Sequence, residues 1–193
     1  MYKLCKTEQS ARRQRELEQG LLKAMEQHQY EDISISELCE TMGVPRKSFY
    51  RYFSSKDGAL YALIDHTLME FESFDRENHL QGKRTLQKDL ERFFRFWQCQ
   101  SSLLNALDRS GLGGVLVQRA IDYALAEFVF PGRFIPNESR SVQNQVVSFG
   151  VCGLLSMTLQ WHQSGYQTPI RELAEIAVRL LTKPLFPEAG KLL

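Results

Sequence analysis

Thirteen consecutive residues, Val44-Pro45-Arg46-Lys47-Ser48-Phe49-Tyr50-Arg51-Tyr52-Phe53-Ser54-Ser55-Lys56, hold four basic side chains and no acid. Elsewhere the charges nearly cancel. Residues 1–60 carry ten Lys/Arg against nine Asp/Glu, and the whole 193-residue chain carries 24 against 23, for a formal +1. A positive cluster in a neutral chain suits one partner above others, the phosphates of nucleic acid, because each phosphate neutralised releases a counterion. Ser48, Tyr50 and Tyr52 add hydrogen-bond donors for phosphate or base edges. The overall balance excludes a histone-like polycation and an acidic tail.

These side chains need an element to aim them. Upstream, Ser34-Ile35-Ser36-Glu37 reads as a capping box opening a short helix, and Met42-Gly43-Val44 reads as a tight turn. Two short helices joined this way are the grammar of a helix-turn-helix, spanning about 34–53. Neither helix is stable alone. Leu17, Leu21, Leu22 and Met25 of a preceding helix offer the docking face. Apolar stripes at helical spacing and the absence of convincing alternation predict an all-α chain. Helices are expected near 8–28, 35–42, 46–53, 56–80, 84–100, 102–109, 113–130, 138–164 and 169–182. Gly165 suits a left-handed helix stop, and Thr168-Pro169 reads as an N-cap followed by a first-turn proline.

The run Met42 to Lys56, continuing through Asp57 to Leu60, resembles the TetR/AcrR family of bacterial transcriptional regulators. Gly43, Tyr50, Phe53 and Lys56 keep the family's intervals, and Tyr30 and Ser34-Ile35 fall where it has an aromatic and a Thr-Val pair. The likeness covers residues 8 to about 65. Farther on, Gly150-x-x-Gly153-Leu154-Leu155 leading to Trp161 and Gly165 looks like the last long helix of a Firmicutes-type branch. Gln29 stands at a usual glycine, Pro45 at a usual Ser or Thr, Arg46-Lys47 at a common Lys-Gly, and Ala59 at a larger apolar residue. The missing hydroxyl at position 45 predicts a recognition helix without a side-chain cap. The resemblance implies that Ser34 and Lys56 meet phosphates, and that Ser36, Arg46, Lys47 and Ser48 face base edges. It also implies that Tyr50 and Tyr52 brace the backbone while Phe49 and Phe53 pack inward. A helix-turn-helix domain at 1–65 within an N-terminal three-helix bundle would then precede a larger helical ligand-binding and dimerisation domain at 66–193.

No formally charged residue lies between Arg140 and Arg171, and apolar residues surround this helix. It must bury two faces. It reads as too short and too polar for a membrane span, so no membrane partner is expected. A homodimer interface is expected at Phe149, Gly150, Gly153, Leu154, Met157, Trp161, Leu173 and Leu180, a reading that the resemblance strengthens. Phe93-Phe94-Arg95-Phe96-Trp97 cannot all face one way, so Phe71, Phe93, Phe94, Trp97, Tyr123 and Phe128 are expected to wall a pocket for a small apolar or aromatic effector.

No zinc, di-iron, P-loop or dinucleotide pattern is found, so neither a catalytic residue nor a metal or cofactor is expected. Cys5, Cys39, Cys99 and Cys152 form no C-x-x-C pair and read as reduced, mostly buried thiols. The N-terminus has no signal-peptide pattern, which predicts a cytoplasmic protein. The function expected is a homodimeric, sequence-specific transcriptional regulator, a repressor of a pseudo-palindromic double-stranded DNA operator, modulated by the effector. Two rivals stand beside it. One is a helical enzyme or carrier with a vestigial helix-turn-helix; the other is a DNA-binding protein whose C-terminal part takes no small ligand.

Overall fold

The computed structural model describes residues 1–3, 5–78, 85–126 and 138–183, the side chains of 76–78 aside. Among these residues the regular structure is helical: α1 (Glu8–Met25), α2 (Ile35–Thr41), α3 (Arg46–Tyr50), α4 (Lys56–Asn78), α5 (Leu86–Cys99), α6 (Ser101–Arg109), α7 (Gly113–Ala126), α8 (Arg140–Gln163) and α9 (Ile170–Thr182). An antiparallel bridge joins Tyr2 to Phe53.

The ends follow local chemistry. Thr7, Ser34, Thr85 and Ser139 cap α1, α2, α5 and α8 through their hydroxyls. The capping box of Ser34 and Glu37 is complete. Gly43 has φ 63°, the left-handed turn that the sequence requires there. Gly165 (φ 70°) and Tyr166 (φ 61°) turn the chain from α8 into α9. Thr168 is not the cap of α9. Pro169 holds the N-cap position without a side-chain bond, and the Thr168 carbonyl instead accepts from the Trp161 indole at 2.7 Å.

Two helices are shorter than their patterns suggest. α1 stops at Met25 because the amides of Gln27 and His28 both turn back to the Ala24 carbonyl. α3 stops at Tyr50 because the amides of Tyr52 and Phe53 both turn back to the Phe49 carbonyl, and Phe53 then leaves to meet Tyr2. The last residues expected in α7, 127–130, lie outside the described residues.

α1 packs on α4, α4 on α5 and α7, α7 on α8, and α9 on α5. One apolar cluster runs from Leu17 and Phe49 through Ile64 and Trp97 to Leu155. The boundary expected at 65 therefore falls inside α4, within a continuous core. A second cluster joins Leu90 and Phe94 of α5 to Trp161 of α8 and to Leu173, Ala174 and Ala177 of α9.

Candidate nucleic-acid interface

α2 and α3 pack as one unit. The Val44 amide donates to the Cys39 carbonyl at 2.9 Å, and Val44 itself is buried. Phe49 is fully buried and its ring lies 5.1 Å from that of Phe53. A five-residue helix has no stability of its own, so these inward anchors hold it. Pro45 gives it no side-chain cap, as the sequence predicts.

With Phe49 turned in, Arg46, Lys47, Tyr50 and Arg51 are turned out. All four are exposed, Ser36 on α2 is exposed, and Ser48 is half-buried. The Arg46 guanidinium lies 6.0 Å from the centre of the Tyr50 ring, one turn away, so the ring steadies a cation in an acid-free stretch of chain. Arg51, counted in the charge but not singled out in the sequence, belongs to this face. An exposed, acid-free cationic face on a short braced helix can enter a major groove and present donors to bases and phosphates.

Three residues assigned to DNA from the sequence are occupied otherwise. The Ser34 hydroxyl accepts from the Glu37 amide at 3.1 Å and donates to its carboxylate at 2.7 Å. The Ser34 hydroxyl and amide together hold the Glu37 carboxyl below the usual range. Tyr52 is buried, its ring tilted on Phe53. The Lys56 ammonium donates to the carbonyls of Tyr30, Glu31 and Ile33 at 2.5, 3.2 and 2.8 Å, and sits over the Tyr30 ring. It has three N–H donors, so its capacity is used inside the fold. Burial, with the Asp57 carboxylate that its hydroxyl contacts, pushes the Tyr30 phenol upward.

The aromatic residues assigned to an effector pocket pack against one another. Phe71 stands edge-on to Phe93, Phe93 to Phe94 and Trp97, and Phe94 to Trp161. Phe94 and Trp97 are fully buried. The buried Trp97 indole N–H has no acceptor among the described residues. Tyr123 is tied to Glu72 by its hydroxyl at 2.8 Å. Phe128 lies outside the described residues. A cavity of about 240 Å³ lies elsewhere, lined by Glu26, Ser102, Asn105 and Arg109.

The residues assigned to a dimer also divide. Phe149 is 66% exposed, Leu180 and Gly153 are exposed, and Gly150 is half-buried. Trp161 and Leu173 instead sit in the α5–α8–α9 core, with Leu154 and Met157 packed against it. All-round apolarity could not tell which side of α8 meets its own chain. The side left open carries Val142, Val146, Phe149, Cys152 and Gly153, with Gln145, Ser156 and Gln160 among them. Contrary to the sequence expectation, α8 is long and apolar enough to cross a membrane by length and composition; its inner side is packed on α7. The thiols differ from expectation too, since Cys99 and Cys152 are exposed while Cys39 is buried.

Comparison with known proteins bears on both ends of the chain. Residues 20–63 match the model of the bacterial regulatory proteins of the tetR family. By sequence no curated protein matches. Among solved structures, the fatty acid degradation regulator FadR from Bacillus halodurans has a TM-score of 0.60 at 14% identity, over 90% of this chain and 96% of that one. A tetR-family transcriptional regulator from Streptomyces coelicolor has 0.53 at 20% identity, over 89% and 79%. The TetR family repressor AlkX from Dietzia sp. strain DQ12-45-1b, implicated in biodegradation of n-alkanes, has 0.55 at 14% identity, over 87% and 92%. These identities speak for a shared fold across both the helix-turn-helix and the larger helical part.

Proposed function

We propose that this chain, whose residues 20–63 match the tetR-family model, is a DNA-binding transcriptional regulator of that type and a homodimer that represses transcription from a pseudo-palindromic operator. The observation that carries this is the outward face of α3: Arg46, Lys47, Tyr50 and Arg51, exposed and free of acids, on a helix locked from behind by Phe49 and Val44. Two such helices, related by a two-fold axis, meet successive major grooves about one turn of B-DNA apart. The open side of α8 supplies the surface for pairing, because it leaves Val142, Val146 and Phe149 in water without a charge between Arg140 and Arg171. Gel shift with the DNA upstream of the protein's own gene tests the reading. Wild type shifts a fragment with steep salt dependence, and Arg46→Ala with Lys47→Ala does not.

The effector is an apolar chain with one hydrogen-bond acceptor. Its support is the Trp97 indole N–H, buried among phenylalanines with no acceptor among the described residues. The names of two structural neighbours, concerned with fatty acids and n-alkanes, point to similar chemistry. Dodecanoate is the probe: it should change tryptophan fluorescence and release the shifted DNA. The close packing of Phe71, Phe93, Phe94 and Trp97 favours a second reading, in which no small ligand enters and the C-terminal helices only pair the chains. Dodecanoate without effect on fluorescence or shift decides for the second.

A further inference from the structure

The first residues of the chain lie across the end of the helix-turn-helix as a strap. The Met1 carbonyl accepts from the Ser54 amide at 3.1 Å and from its hydroxyl at 2.8 Å, and the Lys3 amide donates to the Tyr52 carbonyl at 3.0 Å. Gly58 makes this approach feasible, since a Cβ there would lie 2.5 Å from the Met1 carbonyl oxygen. Tyr2 points the other way. Its hydroxyl donates to Asp65 of α4 at 2.7 Å, and its ring stands edge-on to His66, 5.9 Å away. His66 in turn lies 2.9 Å from the buried carboxylate of Glu18 on α1. Asp65 is buried and is gripped by both nitrogens of the Arg119 fork of α7, with Nε at 2.8 Å.

We infer that Tyr2, Asp65 and Arg119 are positioning residues for α3, transmitting the placement of α7 through the strap to the backbone where the recognition helix ends. The inference rests on α3 being the DNA-reading element. The path is continuous: α7 holds Asp65, Asp65 holds Tyr2, and the residues on either side of Tyr2 hold Tyr52 and Ser54 by their backbones. Bidentate charge-assisted bonds add geometric specificity to their strength, which fixes Asp65 against α7. Arg119 also lies 5.4 Å from the ring centre of Tyr61, which limits its own motion. The Tyr2 phenol is pushed upward by burial and by Asp65, so it stays a donor at any physiological pH.

Amide hydrogen exchange on the full chain without DNA tests the linkage, in Tyr2→Phe and in Arg119→Gln. The expected result is that the Lys3 and Ser54 amides exchange about ten-fold faster in both variants while α8 amides keep their wild-type rates. Operator affinity should also fall about ten-fold with an unchanged salt slope, because no phosphate contact is lost. Exchange at wild-type rates in either variant, or faster exchange that α8 shares equally, overturns the inference. So does selective acceleration with unchanged affinity. If wild type binds no DNA at all, that defeats the DNA reading, while the exchange result still decides the linkage.

Discussion

Arg46 and Lys47 occupy the first turn of α3, and first-turn residues are the ones that contact base edges when a recognition helix lies in a major groove. If one of them holds a guanine by two bonds, its loss costs about 1–3 kcal/mol and relaxes one base pair of each half-site. Affinities of Arg46→Ala and Lys47→Ala across an operator-variant panel check this. Unchanged affinity and unchanged specificity in both variants would take α3 out of the reading role. Lys56 behaves differently. With its ammonium spent on the carbonyls of Tyr30, Glu31 and Ile33, Lys56→Ala should cost about 1.5–3 kcal/mol in urea unfolding and leave the salt slope alone. A slope lower by about one would show instead that Lys56 reaches a phosphate. The pair marks what residue type and spacing can tell. The outward placement of Arg46 and Lys47 was legible because they are the charged residues of a stretch whose apolar anchors are Val44 and Phe49. Lys56 was not, because its partners are three carbonyls of a loop more than twenty residues upstream, and only the closed fold brings them together.

At the level of elements, α2 depends on its capping box. Ser34→Ala should cost about 1 kcal/mol, read by urea unfolding. The cap also sets a pH dependence. The Glu37 carboxyl is held low in the folded state by the Ser34 hydroxyl and amide, so its contribution is complete above the ordinary glutamate range. It is lost as pH falls through the lowered folded value. The gap between wild type and Ser34→Ala should therefore narrow on acidification, and a gap that stays constant would detach Glu37 from the cap. The turn that follows is as local. Gly43 at φ 63° has open space around it, so Gly43→Ala adds no clash and tests backbone strain alone, at about 1 kcal/mol. The start of α2 was legible because Ser34 acts on an amide three residues away, whereas Thr168, which reads as a cap, yields that place to Pro169. Helix ends were less so: α3 closes early through Phe53, which is drawn to Tyr2 from the far end of the domain. The aromatic residues of α5 were less legible for a similar reason: on several faces of one helix they can line a space or fill it, and their partners Phe71 and Trp161 arrive from other helices.

For the whole molecule, the decisive surface is the open side of α8. Phe149 is 66% exposed, with Val142 and Val146 each 42% exposed on the preceding turns. Left in water, such a row raises the free energy of a monomer by about 25 cal/mol for each Å² of apolar area. In the proposed homodimer a two-fold mate would cover it with the same residues, since a two-fold interface is self-complementary. A stable pair needs about 1,200 Å² or more in total, so Leu180 of α9 should fall within it as well. Phe149→Arg places a charge at the centre of that contact, and like meets like across the axis. The expected result is a folded monomer by sedimentation, with a helical spectrum like that of wild type and operator affinity lost to micromolar or weaker as half-sites are bound singly. Trp161→Ala is the internal comparison. That indole is buried against Phe94 and bonded to the Thr168 carbonyl, so its loss should cost about 3–5 kcal/mol of stability without splitting a dimer that still folds. If wild type already sediments as a monomer at micromolar concentration, or if Phe149→Arg remains a dimer, then the open side of α8 is not where two chains meet, and the spacing of the recognition helices must be set by some other surface.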